Sequence, residues 1–574
     1  MHAERAEALH GLALAARGAT EIDAALEYGA AALRELEVMR LRVADPALRA
    51  TFASARRDYH ETQIDLLMTR ARDERANAEE RDSRVRAALE VSERGRARMI
   101  ADLLQEAAID LRSGAPADLR ASQDRLYEQL ADLRRRRDLL LERPSPSAEN
   151  AAELDHVVAD LAGTENALNL TEIELRRSNP RYATLTAPMT LTAAQIQQAV
   201  GPDTVLLQYA LGEASSWVWV ITSERIAAVQ LPGRATIEAA AQRALARLEV
   251  HAPDEVSRSS AELEALAKLV LAPVRESLNR PRVALALDGA LQFVPFGVLP
   301  LRGADGVAAP VLAQHEIVEV PSMSALAVSH RDAVPRERKT LAVFADPVLE
   351  PSDPRFGAAR AETVAAPQQQ HGFAARSSAG VEPGGRLSTG YEGETIAALV
   401  PDAARLLARG FAANRAAVLD SDLHDFRYIH FATHGLVDAR YPGLSALVLS
   451  QFDAQGRPLD GFLRLNDIYN LKLGADLVVL SACDTALGRD VRGEGLIGLT
   501  QGFMTAGART VVASLWQVPD GATAELMKQF YGYMLDEGLA PPAALRKAQL
   551  ASAAQRRWSD PYFWGGFVLV GDWR

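Results

Sequence analysis

The sequence predicts an α/β protein: a mostly parallel sheet in an α/β/α sandwich, preceded by an all-helical first third. Three observations carry this. Residues 1–180 place apolar side chains at three- and four-residue spacings with few breakers, the helical period. Beyond residue 200, short apolar runs alternate with helical ones. Many of those runs lack strict in–out alternation, the pattern of strands covered on both faces.

The opening MHAERAEALHGLALAARG carries charges within its apolar part and no small-residue cleavage site, so it reads as an amphipathic helix and not as a signal peptide. The segment ALEYGAAALRELEVMRLRV continues the helical pattern. The breaker RPSPSAEN, residues 143–150, separates two further helical runs, 119–142 and 150–177, and predicts an antiparallel hairpin. No clean 34-residue repeat is present, so residues 1–180 form at most a degenerate tetratricopeptide-like regulatory segment.

The second domain is expected over 185–574, divided into 185–335 and 336–574. It opens with TVLLQYAL, SWVWVIT and IAAVQLP, short β-branched and aromatic runs. Two helices follow, and then VALALD, EIVEV, TLAVFAD, ARLLAR, RYIHFAT, SALVLS, DLVVLS, RTVVASLW and FVLVG, with helical stretches between them. Residues 351–393, rich in Pro, Gly, Ser and Gln, are expected to be a mobile surface loop.

Composition narrows the function. The 574 residues are 48% apolar and 24% charged, which excludes wholesale disorder. A net charge of −12 disfavours nucleic acid as the main partner. The run Arg134–Arg137 sits among carboxylates and reads as a solvated helix face. The lone cysteine, Cys483, excludes an intrachain disulfide and any thiolate metal cage. No apolar stretch reaches the ~18–20 residues that cross a bilayer, so no membrane is expected and a cytoplasmic location is.

Two strand ends hold the candidate chemistry. RYIHFATHG ends in His434-Gly435 and DLVVLSACDT ends in Ala482-Cys483. Reacting groups on parallel sheets gather at carboxyl ends of strands. If the two strands are neighbours, an imidazole can take the thiol proton and return it to a leaving amine. The N–H groups of Gly435 and Cys483 are the natural donors to an oxyanion. The bland alternative is a buried inert thiol and a satisfied structural histidine. His430, four residues before His434, lies ~13 Å away along a strand at ~3.3 Å per residue, too far to share a metal; it reads as a core or supporting residue. Gly493, Gly495 and Gly498 match a dinucleotide fingerprint by letter, with Asp520 at the acidic position. The preceding strand, however, ends near Leu480, too early for that motif. Neither a phosphate-binding GxxxxGK[ST] nor a GxSxG elbow occurs.

HFATHG, LSACDTALG and GEGLIGLTQGFMTAGARTVVASLWQVPD together resemble the CHAT domain, the caspase-like module usually found behind tetratricopeptide repeats in bacterial proteins. DGALQFVPFGVLP, EVPSMSAL, FADPVL and YFWGGFVLVG extend the resemblance over about 185–574. It implies a caspase-like α/β/α fold and a cysteine endopeptidase of the clan of caspases, separases and gingipains. The dyad is then His434 and Cys483, with Gly435 and Cys483 at the oxyanion. A substrate-pocket carboxylate is sought among Asp484, Asp438 and Glu494, and Trp516 either walls that pocket or fills the core. The expected reaction is limited cleavage of a protein substrate in bacterial signalling or defence, with no cofactor, under a regulatory protein bound by the N-terminal helices. The rival from another class is a non-catalytic interaction scaffold with a latent caspase-like domain.

Overall fold

The computed structural model describes residues 2–40, 57–108, 190–249, 256–303, 306, 308–329, 338–356, 388–436, 445–481, 499–516 and 518–573, with scattered helical positions between 118 and 174. They divide into two compact units: Met1–Tyr59 with Ala101–Met189, and His60–Ile100 with Thr190–Arg574.

In the first unit, helices His2–Gly18 and Ile22–Arg40 form a hairpin whose turn places Thr20 in the left-handed region at φ 64°. Fully buried Ala13, Ala25 and Ala32 keep the helix axes close. Leu140, Val157 and Leu161 form one buried cluster with Leu133 and Leu154 against it, which packs the two sides of the expected hairpin together. Arg136 is exposed and pairs with Glu153 at 2.6 Å, as a solvated face requires. The breaker 143–150 and the other arginines of that run lie outside the described residues.

In the second unit the strands are β1 Thr204–Ala210, β2 Ser215–Ile221, β3 Ile226–Pro232, β4 Arg282–Ala286, β5 Pro300–Arg302, β6 Ala308–Pro310, β7 Glu316–Glu319 and β8 Lys339–Ala345. They continue as β9 Arg405–Arg409, β10 Phe426–Ala432, β11 His434–Leu436, β12 Ala446–Val448, β13 Phe462–Arg464, β14 Leu477–Leu480, β15 Thr510–Ser514 and β16 Phe567–Gly571. Eleven of them make one sheet in the order β3-β2-β1-β4-β7-β16-β15-β14-β10-β8-β9. Pairing is antiparallel at β3/β2, β2/β1 and β16/β15 and parallel at every other step. Each apolar run named from the sequence becomes a strand, although SALVLS (β12) joins a separate three-stranded sheet, β11-β12-β13.

Adjacent residues on β10 show the layers. His430 faces helices Ser388–Ala397 and Asp520–Leu535 through Glu392 and Tyr531, whereas Phe431 packs on Phe503 of helix Leu499–Thr505. Successive strand side chains point to opposite faces, so helices cover both sides of the sheet. Among the described residues no helix is long and apolar enough to cross a membrane.

Two expectations change. Residues 388–393 are not loop but the start of helix Ser388–Ala397. Their glycines serve packing: a Cβ on Gly390 would stand 3.1 Å from the Asp346 carboxylate, and one on Gly393 2.6 Å from the Ala345 methyl. Residues 357–387 lie outside the described residues. Residues 60–100 were expected to belong with the helical segment 1–180, yet they pack within the second unit. The cause is a polar seam. Trp219 Nε1 donates to Val85 O (3.1 Å), Gln208 Nε2 to Ser92 Oγ (3.1 Å), Ser324 N to Glu93 Oε1 (2.6 Å) and Arg96 Nη1 to Tyr209 O (2.5 Å). Arg234 also pairs with Glu61. Desolvation raises the Glu93 carboxyl above its ordinary value.

Candidate active site

The second half of the sheet runs β9-β8-β10-β14-β15, so chain direction reverses its order between β8 and β10. Crevices outside the carboxyl ends of strands at such a reversal are where open parallel sheets place ligands. The β10 end leads directly into β11, and His434 is its first residue, opposite Val448 of β12. Buried Thr433 anchors the junction by donating its hydroxyl to Val448 O. His434 is half-buried, and desolvation holds its imidazole below the ordinary histidine range. The ring is therefore neutral near pH 7, the form that accepts a proton. Gly435, expected at the oxyanion, follows on β11 opposite Leu447.

β14 lies beside β10 in parallel register, with Phe431 opposite Leu480, and Ser481 N donates to Phe431 O at 3.0 Å. Residues 482–498 lie outside the described residues, so Cys483, Asp484, Glu494 and the Gly493–Gly498 motif are not placed, and neither is Asp438. Trp516 is placed. It is 3% exposed after β15, gives its indole N–H to Tyr562 O at 2.9 Å and packs its ring against Gly566.

The sequence reading missed two arrangements near these strand ends. Asp346, directly after β8, is a non-glycine residue at φ 55°. Arg355 pairs with its carboxylate (3.1 Å) and donates to its carbonyl (2.9 Å), and burial nevertheless raises the carboxyl above its ordinary value. The Asp-Pro pair marks a turn in sequence, but a left-handed Asp held by a remote Gly390 leaves no local signal. The second is fully buried His430, with Nε2 3.0 Å from Glu392 Oε1 and Nδ1 3.2 Å from the Tyr531 hydroxyl. The sequence marked His430 as a core or supporting residue without naming either partner. Among the described residues no group of three or more His, Cys, Asp or Glu side chains could hold a metal ion.

Tetratricopeptide repeat protein 28 of Mus musculus is 39% identical over 105 residues, and its Homo sapiens counterpart 37% over 105 residues; both matches take in 18% of this chain and only 4% of the relative. Among solved structures, two of the Saccharomyces cerevisiae separase–securin complex align over 96% and 98% of this chain and 48% and 46% of theirs, at 10% and 9% identity and TM-scores of 0.39 and 0.37. The CHAT domain profile matches residues 260–572, more than half of the sequence. With the strand-end histidine on its mostly parallel sheet, the chain belongs to the CHAT domain family, whose module is of the caspase-like peptidase type.

Proposed function

We propose that the protein is a cysteine endopeptidase in which His434 and Cys483 form the dyad. The observation that carries this is the register of β10 and β14. Phe431 stands opposite Leu480, His434 comes three residues after the one, and Cys483 comes three residues after the other. A neutral imidazole takes the thiol proton, and the thiolate attacks the scissile carbonyl. The imidazolium then protonates the leaving amine, and water hydrolyses the thioester. The N–H groups of Gly435 and Cys483 receive the oxyanion. Limited cleavage of one protein partner in bacterial signalling or defence, in the cytoplasm and without a cofactor, fits a module governed by a helical segment. In this reading residues 1–180 bind the regulator and 185–574 form the peptidase domain.

The test is a peptidyl chloromethyl ketone applied with and without extracts that contain candidate activators. Wild type should be alkylated at Cys483, and His434→Ala should cut the rate by at least about 10²-fold, the usual contribution of a positioned base. New protein N-termini should appear with wild type and not with Cys483→Ala. Equal labelling of both chains, with no new N-termini, would establish the scaffold reading instead.

A further inference from the structure

A second site lies in the other half of the sheet. The last residue of β7, Glu319, is 5% exposed, and its Oε1 has no hydrogen-bond partner among the described residues. It lines a cavity of about 30 Å³, room for about two water molecules. Part of its wall is apolar, formed by Phe296, Leu312, Ile317, Leu545 and Val568. Two polar side chains share the lining, Arg546 and Gln549 of helix Pro541–Ala553, and both are committed elsewhere. Arg546 donates to Leu312 O and Ala313 O at 2.6 Å each, and Gln549 Nε2 to Trp564 O and Phe567 O at 3.0 Å each. Neither reaches the carboxyl in a hydrogen bond.

An unpaired buried carboxylate is costly, and a donor that carries positive charge removes that cost most completely. An anion is repelled by Glu319, and a neutral donor leaves the charge uncompensated. We propose that this cavity binds the head of a primary ammonium ion, which hydrogen-bonds Glu319 while its carbon chain rests on the apolar walls. Without that occupant, desolvation pushes the Glu319 carboxyl up to about 8. Among the described residues Arg546 is the other charged group in the lining.

The test uses the full chain at pH 8.5, where the carboxyl is largely ionised and an alkylamine is still protonated. Ethylammonium is titrated by saturation-transfer NMR, with ethanol and tetramethylammonium as controls. Ethylammonium should bind wild type at least about tenfold more tightly than either control, and Glu319→Gln should abolish that difference, since the hydrogen bond to a charged carboxylate is lost. If ethanol or tetramethylammonium binds equally well, or Glu319→Gln leaves the ethylammonium affinity unchanged, the proposal fails. The wild-type comparison decides the matter even if the variant does not fold.

Discussion

At the scale of single residues, His434 couples location to protonation. A histidine whose folded value is depressed binds protons less readily in the native state than when unfolded. Its influence on stability is nil above the unfolded value near 6.5 and grows unfavourable as pH falls from there through the folded value. For the proposed peptidase the same shift predicts an acid limb: kcat/KM for a peptide substrate should fall only below pH 6.5, and a limb at or above that value would count against His434 as the base. Asp346 offers a second test. Its left-handed backbone costs a β-branched residue about 1–3 kcal/mol, so Asp346→Val should lower the denaturation midpoint, whereas Asp346→Asn, which tolerates that conformation, should lower it far less. The end of β10 was legible in sequence because an apolar run that gives way to polar residues announces a strand tip, whereas the entry of His434 into β11 was not. Asp346 was not, because its conformation is enforced by Gly390 and Arg355, distant along the chain.

At the scale of elements, the buried His430–Glu392 pair joins β10 to helix Ser388–Ala397, and Tyr531 ties both to helix Asp520–Leu535. Removing His430 leaves the buried Glu392 carboxyl and Tyr531 hydroxyl without the hydrogen bonds they share with it. His430→Ala should therefore cost about 1–3 kcal/mol or more in chemical denaturation, and His430→Ala with Glu392→Leu should recover part of that loss. Hydrophobic runs named the strands because buried parallel strands are written as continuous apolar stretches, from TLAVFAD at β8 to FVLVG at β16. Helix Ser388–Ala397 escaped the reading for the opposite reason. Its two glycines look like breakers, but they are there to let the helix pass close over β8.

At the scale of the whole molecule, composition changes near residue 200, but the compact units do not divide there. Residues 60–100 read as one more amphipathic stretch, and only the seam through Ser92, Glu93 and Arg96 reveals what they cover. A chain that starts at residue 60 should keep the near-ultraviolet dichroism of buried Trp219, whereas one that starts at 101 should lose it and elute as aggregate in gel filtration. The position of β16 has a temporal consequence. It follows every other described strand along the chain but lies inside the sheet, parallel to β7 on one side and antiparallel to β15 on the other. During synthesis on the ribosome, both of those neighbours present bare edges until residues 567–571 emerge. The nascent polypeptide thus exposes two half-sheets to chaperones until β16 enters between them.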